Sequence, residues 1–130
     1  MRLLGEFAGV LSDRVTDCGH DFQLRFNPEH FIYRAHFPGE PVTPGVCILQ
    51  LALELMERCT GGRLEIVSVK NVKFLRTIIP GETPSLCFSV SVTENGVDFA
   101  GARITATDGT DVYARLSLIC RKLCNNSATA

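Results

Sequence analysis

Residues 36–54 read HFPGEPVTPGVCILQLALE, placing one histidine, two glycines and three prolines directly ahead of an apolar run. An imidazole can remove a proton beside a polarised carbonyl. The N-terminus of a helix supplies the polarisation, because its first N–H groups are unpaired and carry partial positive charge. Gly45 falls in the first turn of the helix this stretch should begin, and without a side chain it lets a substrate come close to the backbone. The competing reading is structural: glycine and proline shape a sharp strand-to-helix connection, and His36 packs or hydrogen-bonds locally. Three prolines and two glycines in ten residues fix the backbone beyond what a connection needs, and rigid positioning is what a reacting site requires.

The neighbouring elements must deliver these groups. Thr43 is a good N-cap and Pro44 suits the first helical position, where its missing N–H leaves nothing unsatisfied. The helix should run to about Cys59, roughly four turns, with Gly61-Gly62 as its stop. Only Gln50, Glu54 and the Glu57/Arg58 pair form a polar stripe on it, so most of its circumference is expected to be buried. Upstream, Asp21 to Phe26 alternates as a half-buried strand, Asn27-Pro28 breaks it, and HFIYRAHF is expected to run extended and carry His36 to the loop.

Downstream the period changes to two. Residues 64–75, 85–92, 97–107 and 112–121 read as strands, separated by Pro80-Gly81, an Asn95-Gly96 two-residue hairpin and Asp108-Gly109. The expectation is an α+β fold: one buried helix wrapped by a curved antiparallel sheet, its last four strands forming a meander. Residues 1–124 are read as one domain and 125–130 as a frayed, flexible tail.

Bulk properties narrow the function. With 13 basic and 14 acidic residues, the chain has no long-range field to attract nucleic acid or an anionic membrane. Glu6 interrupts the apolar N-terminus before a signal core or membrane span can form, which predicts a cytoplasmic protein without membrane insertion. The six cysteines, at 18, 47, 59, 87, 120 and 124, lack zinc or redox spacing and are expected to be reduced, small core residues.

The motif HFPGEPVTPG, His36 to Gly45, resembles that of the β-hydroxyacyl-acyl carrier protein dehydratases of the FabZ and FabA type, which have the hotdog fold. KFLRTIIPGE at 73–82 and the closing strands are similar as well, so the resemblance covers most of the chain. It implies reversible dehydration of a 3-hydroxyacyl thioester to a trans-2-enoyl thioester in fatty acid or related lipid biosynthesis. The substrate would be carried on acyl carrier protein and would lie in a tunnel between two subunits of a homodimer or trimer of dimers. His36 would be the catalytic base or acid, and the Gly45 N–H would hold the thioester carbonyl. Phe37, Gly39, Pro44 and Val46 would line the substrate, and no metal or organic cofactor is implied.

One position departs from that family's pattern. Where the family carries an acid fourteen residues after the histidine and usually Gln four later, this chain has Gln50 and then Glu54. Gln cannot release a proton near neutral pH, and losing a general acid typically costs about a hundredfold to ten-thousandfold in rate. Glu54 lies on the same helix face, about 6 Å along the axis, where it can act through Gln50 or a water, so His36, Gln50 and Glu54 are the catalytic candidates. The alternative for Glu54 is an exposed face paired with Arg58. Lys70, Lys73 and Arg76 are candidates for a basic rim facing acidic carrier protein, against the alternative of simple solvation. Two rival functions remain: a hotdog acyl thioesterase, and a non-catalytic acyl-thioester binding subunit that pairs with an active homologue.

Overall fold

The computed structural model describes residues 2–35, 39 and 41–123. Strands β1 (Ala8–Val15) and β2 (Gly19–Phe26) precede a short helix α1 (Phe31–Ala35) and the long helix α2 (Gly45–Thr60). Four more strands follow: β3 (Leu64–Phe74), β4 (Ser85–Asn95), β5 (Phe99–Thr107) and β6 (Val112–Lys122). All six form one curved antiparallel sheet in the order β1-β2-β4-β5-β6-β3. The α+β hotdog architecture is thereby established.

Alternation decides which face of the sheet meets α2. Phe22, Leu24 and Phe26 of β2 lie opposite or beside Leu86, Phe88 and Val90 of β4, and all six are buried. Leu51, Ala52, Leu55 and Met56 of α2 close the other side with no exposure, each large side chain contributing about 2 kcal/mol on burial. The helix packs on β2, β3, β4 and β5. It ends where Gly61 takes the left-handed conformation, φ 82°, and donates its N–H to Glu57 O at 2.8 Å.

Several expectations are corrected. The last four strands are not a simple meander: β4, β5 and β6 are sequential neighbours, but β3 pairs with β6 at the sheet edge. Strand β1 was not anticipated, because a register shift between Val10 and Ser12 breaks its period of two and only Ala8 is fully buried. HFIYRAHF is not extended over its described part. Residues 31–35 form α1, begun by His30, whose Nδ1 accepts from Ile32 N–H at 3.2 Å, and held by burial of Ile32 and Tyr33.

The Asn95-Gly96 hairpin is also wider than a two-residue turn. Gly96 N–H donates to Phe99 O at 2.9 Å, while the Lys122 ammonium bonds Asn95 and the Gly96 carbonyl and holds the loop open. The turn at Asp108-Gly109 stands, with Asp108 accepting from Thr110 and Asp111 N–H. Cys18, Cys47, Cys59, Cys87 and Cys120 are free. Cys47 and Cys120 are buried, whereas Cys18 is exposed rather than in the core.

Candidate active site

The amino end of α2 starts one residue later than its sequence suggests. Pro44 is the N-cap, with extended backbone, and among the described residues no side chain caps the helix. Thr43 does not serve because its hydroxyl pairs with the Tyr33 phenol at 2.9 Å and its N–H donates to Ile78 O at 2.8 Å. Pro44 O accepts from Cys47 and Ile48 N–H, so the first turn is closed behind the two leading amides. Among the described residues nothing accepts from the N–H of Gly45 or Val46. Two donors and the positive end of the helix dipole therefore face outward together.

The ring of Phe74, at the end of β3, lies over Gly45. A Cβ on Gly45 would stand 2.9 Å from its Cε2 and 3.1 Å from its Cζ. The glycine lets the ring approach this closely, and a larger residue would have to push it aside. Phe74, Gly45, Thr43, Ile48 and Arg76 line a cleft of about 200 Å³. Burial pushes the Tyr33 phenol up to about 12, which keeps it neutral beside Thr43. Burial also raises the Cys47 thiol, so this cysteine in the first turns is a packed neutral group and not an activated nucleophile.

Gln50 and Glu54 do meet, as their i,i+4 spacing implies: Gln50 Nε2 donates to Glu54 Oε2 at 2.8 Å. The exposed pairing of Glu54 with Arg58 is not found. Glu54 is only 2% exposed, and its carboxylate accepts from Leu3 N–H at 2.8 Å and Leu4 N–H at 2.9 Å. Glu57 is likewise engaged, by the Arg2 guanidinium and by Leu64 N–H at 2.9 Å. A larger cavity, about 1030 Å³, opens at this carboxyl end between Arg2, Glu54, Arg58 and Arg63. Its volume does not make it the reacting site, since both of its carboxylates are already committed to backbone and arginine donors.

His36 and Phe37 lie outside the described residues. Gly39 sits in a turn at φ 86°, and Val46 is 69% exposed on the outer side of the first helical turn. Lys70, Lys73 and Arg76 are all exposed, with Arg76 3.4 Å from Asp111. Cross-strand register adds two basic residues that spacing alone did not bring together: Lys73 lies opposite Arg115, and Lys70 opposite Ser117, whose other neighbour is Arg103. Phe74, Tyr33 and the Arg2–Leu4 segment were also missed. Each acts across a long stretch of chain, and no local pattern announces it.

A curved antiparallel sheet around one buried helix, with a glycine at the helix start, defines a hotdog-fold protein. The chain belongs to the ApeI-like dehydratase family, described as ApeI dehydratase, whose model matches residues 12–112. It is 31% identical over 87 residues to the 3-hydroxyacyl-[acyl-carrier-protein] dehydratase FabZ of Wolbachia pipientis from Culex pipiens, covering 57% of this chain and 59% of that one. Identity to the Ehrlichia chaffeensis FabZ is 33% over 92 residues, covering 62% and 63%. The chain thus spans about three fifths of the length of these curated relatives.

Among solved structures, the dehydratase heterocomplex ApeI:P of Xenorhabdus doucetiae superposes with a TM-score of 0.63 at 15% identity, covering 88% of this chain and 97% of that one. A mutant thioesterase of Pseudomonas aeruginosa gives 0.54 at 18% identity, covering 83% and 78%. Both likenesses concern the fold. Within the described residues no helix is long and apolar enough to cross a membrane.

Proposed function

We propose that this chain dehydrates a 3-hydroxyacyl thioester, carried on acyl carrier protein, to the trans-2-enoyl thioester. The observation that carries the reading is the Gly45 and Val46 N–H pair at the start of α2, which has no acceptor among the described residues, in a chain whose family is that of the dehydratases. The thioester oxygen accepts from these donors, and His36 takes the α-proton. As the double bond forms, the β-carbon–oxygen bond breaks. Gln50 cannot supply the proton this hydroxyl needs, so His36 returns the one it took and water leaves.

The cleft beside Gly45 is too small for an acyl chain and its carrier arm, for which pockets of about 300–1,000 Å³ are usual. A second chain supplies the remaining walls. Edge strand β3 exposes Val67, Val69, Val72 and Phe74, an apolar row that favours pairing with another edge. Lys70, Lys73, Arg103 and Arg115 are exposed on the sheet near that edge and are suited to an acidic carrier protein.

The test is loss of enoyl absorbance when trans-2-enoyl carrier protein is hydrated, compared in native protein, His36→Ala and Gln50→Glu. Turnover abolished by His36→Ala is the expected result. A second reading is favoured by Gln50, which is not ionisable, together with the commitment of the neighbouring Glu54 carboxylate to Leu3 and Leu4 N–H. In that reading the chain is the accessory half of a mixed assembly, as the dehydratase heterocomplex ApeI:P is a heterocomplex. A native protein that is inert alone, yet active when mixed with a homologue, would replace the first reading with the second.

A further inference from the structure

We infer that Glu54 is a positioning residue, whose carboxylate, clamped by the Leu3 and Leu4 N–H groups, locks the Gln50 amide with its NH₂ toward Glu54 and its carbonyl oxygen turned away as a fixed acceptor. The inference rests on the dehydratase reading for its catalytic consequence, but not for its geometry.

The carboxylate can only accept hydrogen bonds. Gln50 must therefore present Nε2 to it, because the flipped amide would set two acceptors 2.8 Å apart. Glu54 cannot turn to accommodate a flip. Its side chain is 1% exposed, Oε2 accepts from Leu3 N–H as well as from Gln50, Oε1 accepts from Leu4 N–H, and Arg2 stands 3.9 Å from Oε1. Leaving a buried carboxylate short of a donor is costly, so the Gln50 bond is retained. Helical side chains lean toward the N-terminus, which brings residue 54 back over residue 50. The Gln50 carbonyl oxygen is then held on the far side of the amide. On that side the amide can only accept a hydrogen bond and never donate one.

The segment Arg2–Leu4 thereby becomes part of the site's support, although it is fifty residues away in sequence. An amide at position 54 could not replace the carboxylate. Its single carbonyl would serve only one of the two backbone donors, and its NH₂ would face the other.

The chain has only two glutamines, Gln23 and Gln50, so protein labelled with ¹⁵N-glutamine gives two side-chain NH₂ pairs, assigned by Gln50→Met. Gln23 donates to Ser85 Oγ at 3.2 Å and serves as the internal reference. The expected result in the full native chain is a Gln50 pair whose exchange is slower than that of Gln23 by about tenfold or more. In Glu54→Asp that protection falls and the shift moves, while Gln23 is unchanged. A Gln50 pair that exchanges as fast as free glutamine in the native protein, or one indifferent to Glu54→Asp, overturns the inference. Turnover is read separately: Glu54→Asp should lower kcat more than it raises KM. An inert native protein with a protected Gln50 pair overturns the dehydratase reading and leaves the locked amide standing; an active protein with an unprotected pair does the reverse.

Discussion

The two ends of α2 treat the same backbone chemistry in opposite ways. At the carboxyl end the acidic groups are committed: Gly61 closes the last turn, Glu54 gathers Leu3, Leu4 and Gln50, and Glu57 takes Arg2 and Leu64. At the amino end Thr43, the residue best suited to cap the helix, is drawn away by Tyr33, and the amides of Gly45 and Val46 have no acceptor among the described residues. Satisfied groups hold a fold together, whereas unsatisfied ones beside a cleft are available to a substrate. Substitutions at the carboxyl end should therefore register first in stability, Glu54 also reaching turnover through Gln50, and those at the amino end chiefly in turnover.

The sharpest break of this contrast is Glu54→Ala. It leaves a buried and a part-buried backbone donor and the Gln50 amide without their acceptor, and should lower unfolding free energy by about 3–5 kcal/mol in urea denaturation. A loss under about 1 kcal/mol would mean that the carboxyl end is not anchored as described.

Gly45→Ala should do the opposite. The new methyl meets the far edge of a half-exposed ring, which can swing aside, so the stability loss should be about 1 kcal/mol while turnover falls at least tenfold. Adding Phe74→Ala should recover the stability and not the turnover, because the methyl still occupies the cleft that Gly45 lines. Full recovery of both would show that Phe74, and not access to Gly45, sets the effect.

The smallest effect is expected at Tyr33. Its pKa is raised from the ordinary 10 to about 12, so the stability it contributes is complete below pH 10 and is lost as pH rises toward 12. Tyr33→Phe should flatten that alkaline decline in thermal melts and, at neutral pH, cost about 0.5–1.5 kcal/mol for the lost bond to Thr43. It should also free Thr43 to cap α2, which would make the amino end resemble the carboxyl end and reduce activity.

What the sequence disclosed follows from how local each signal is. Helix α2 and strands β4 to β6 were legible because apolar periodicity and the Gly61-Gly62 stop lie within the elements themselves. The Gln50–Glu54 contact was legible for the same reason, being one helical turn. Burial of Glu54 was not, since its partners are main-chain N–H groups at residues 3 and 4, and any residue but proline carries those. The start of α2 was placed a residue early because the Tyr33–Thr43 bond diverts the cap. Helix α1 escaped notice because it is only five residues long and its first three, Phe31, Ile32 and Tyr33, are aromatic or branched, with little helical preference until Ile32 and Tyr33 are buried.

The hydrogen bond between Gln50 and Glu54 also constrains how such a sequence arises. Passing from acid-then-amide to amide-then-acid takes two substitutions, and the intermediate is either a pair of carboxyls or a pair of amides. The carboxyl pair survives by keeping one proton between its members, and it still offers the Leu3 and Leu4 N–H groups their acceptors. The amide pair turns a donor against one of them. Of the two single-substitution neighbours of this chain, the pair of glutamates therefore keeps the Leu3 and Leu4 anchor at position 54, and the pair of glutamines breaks it.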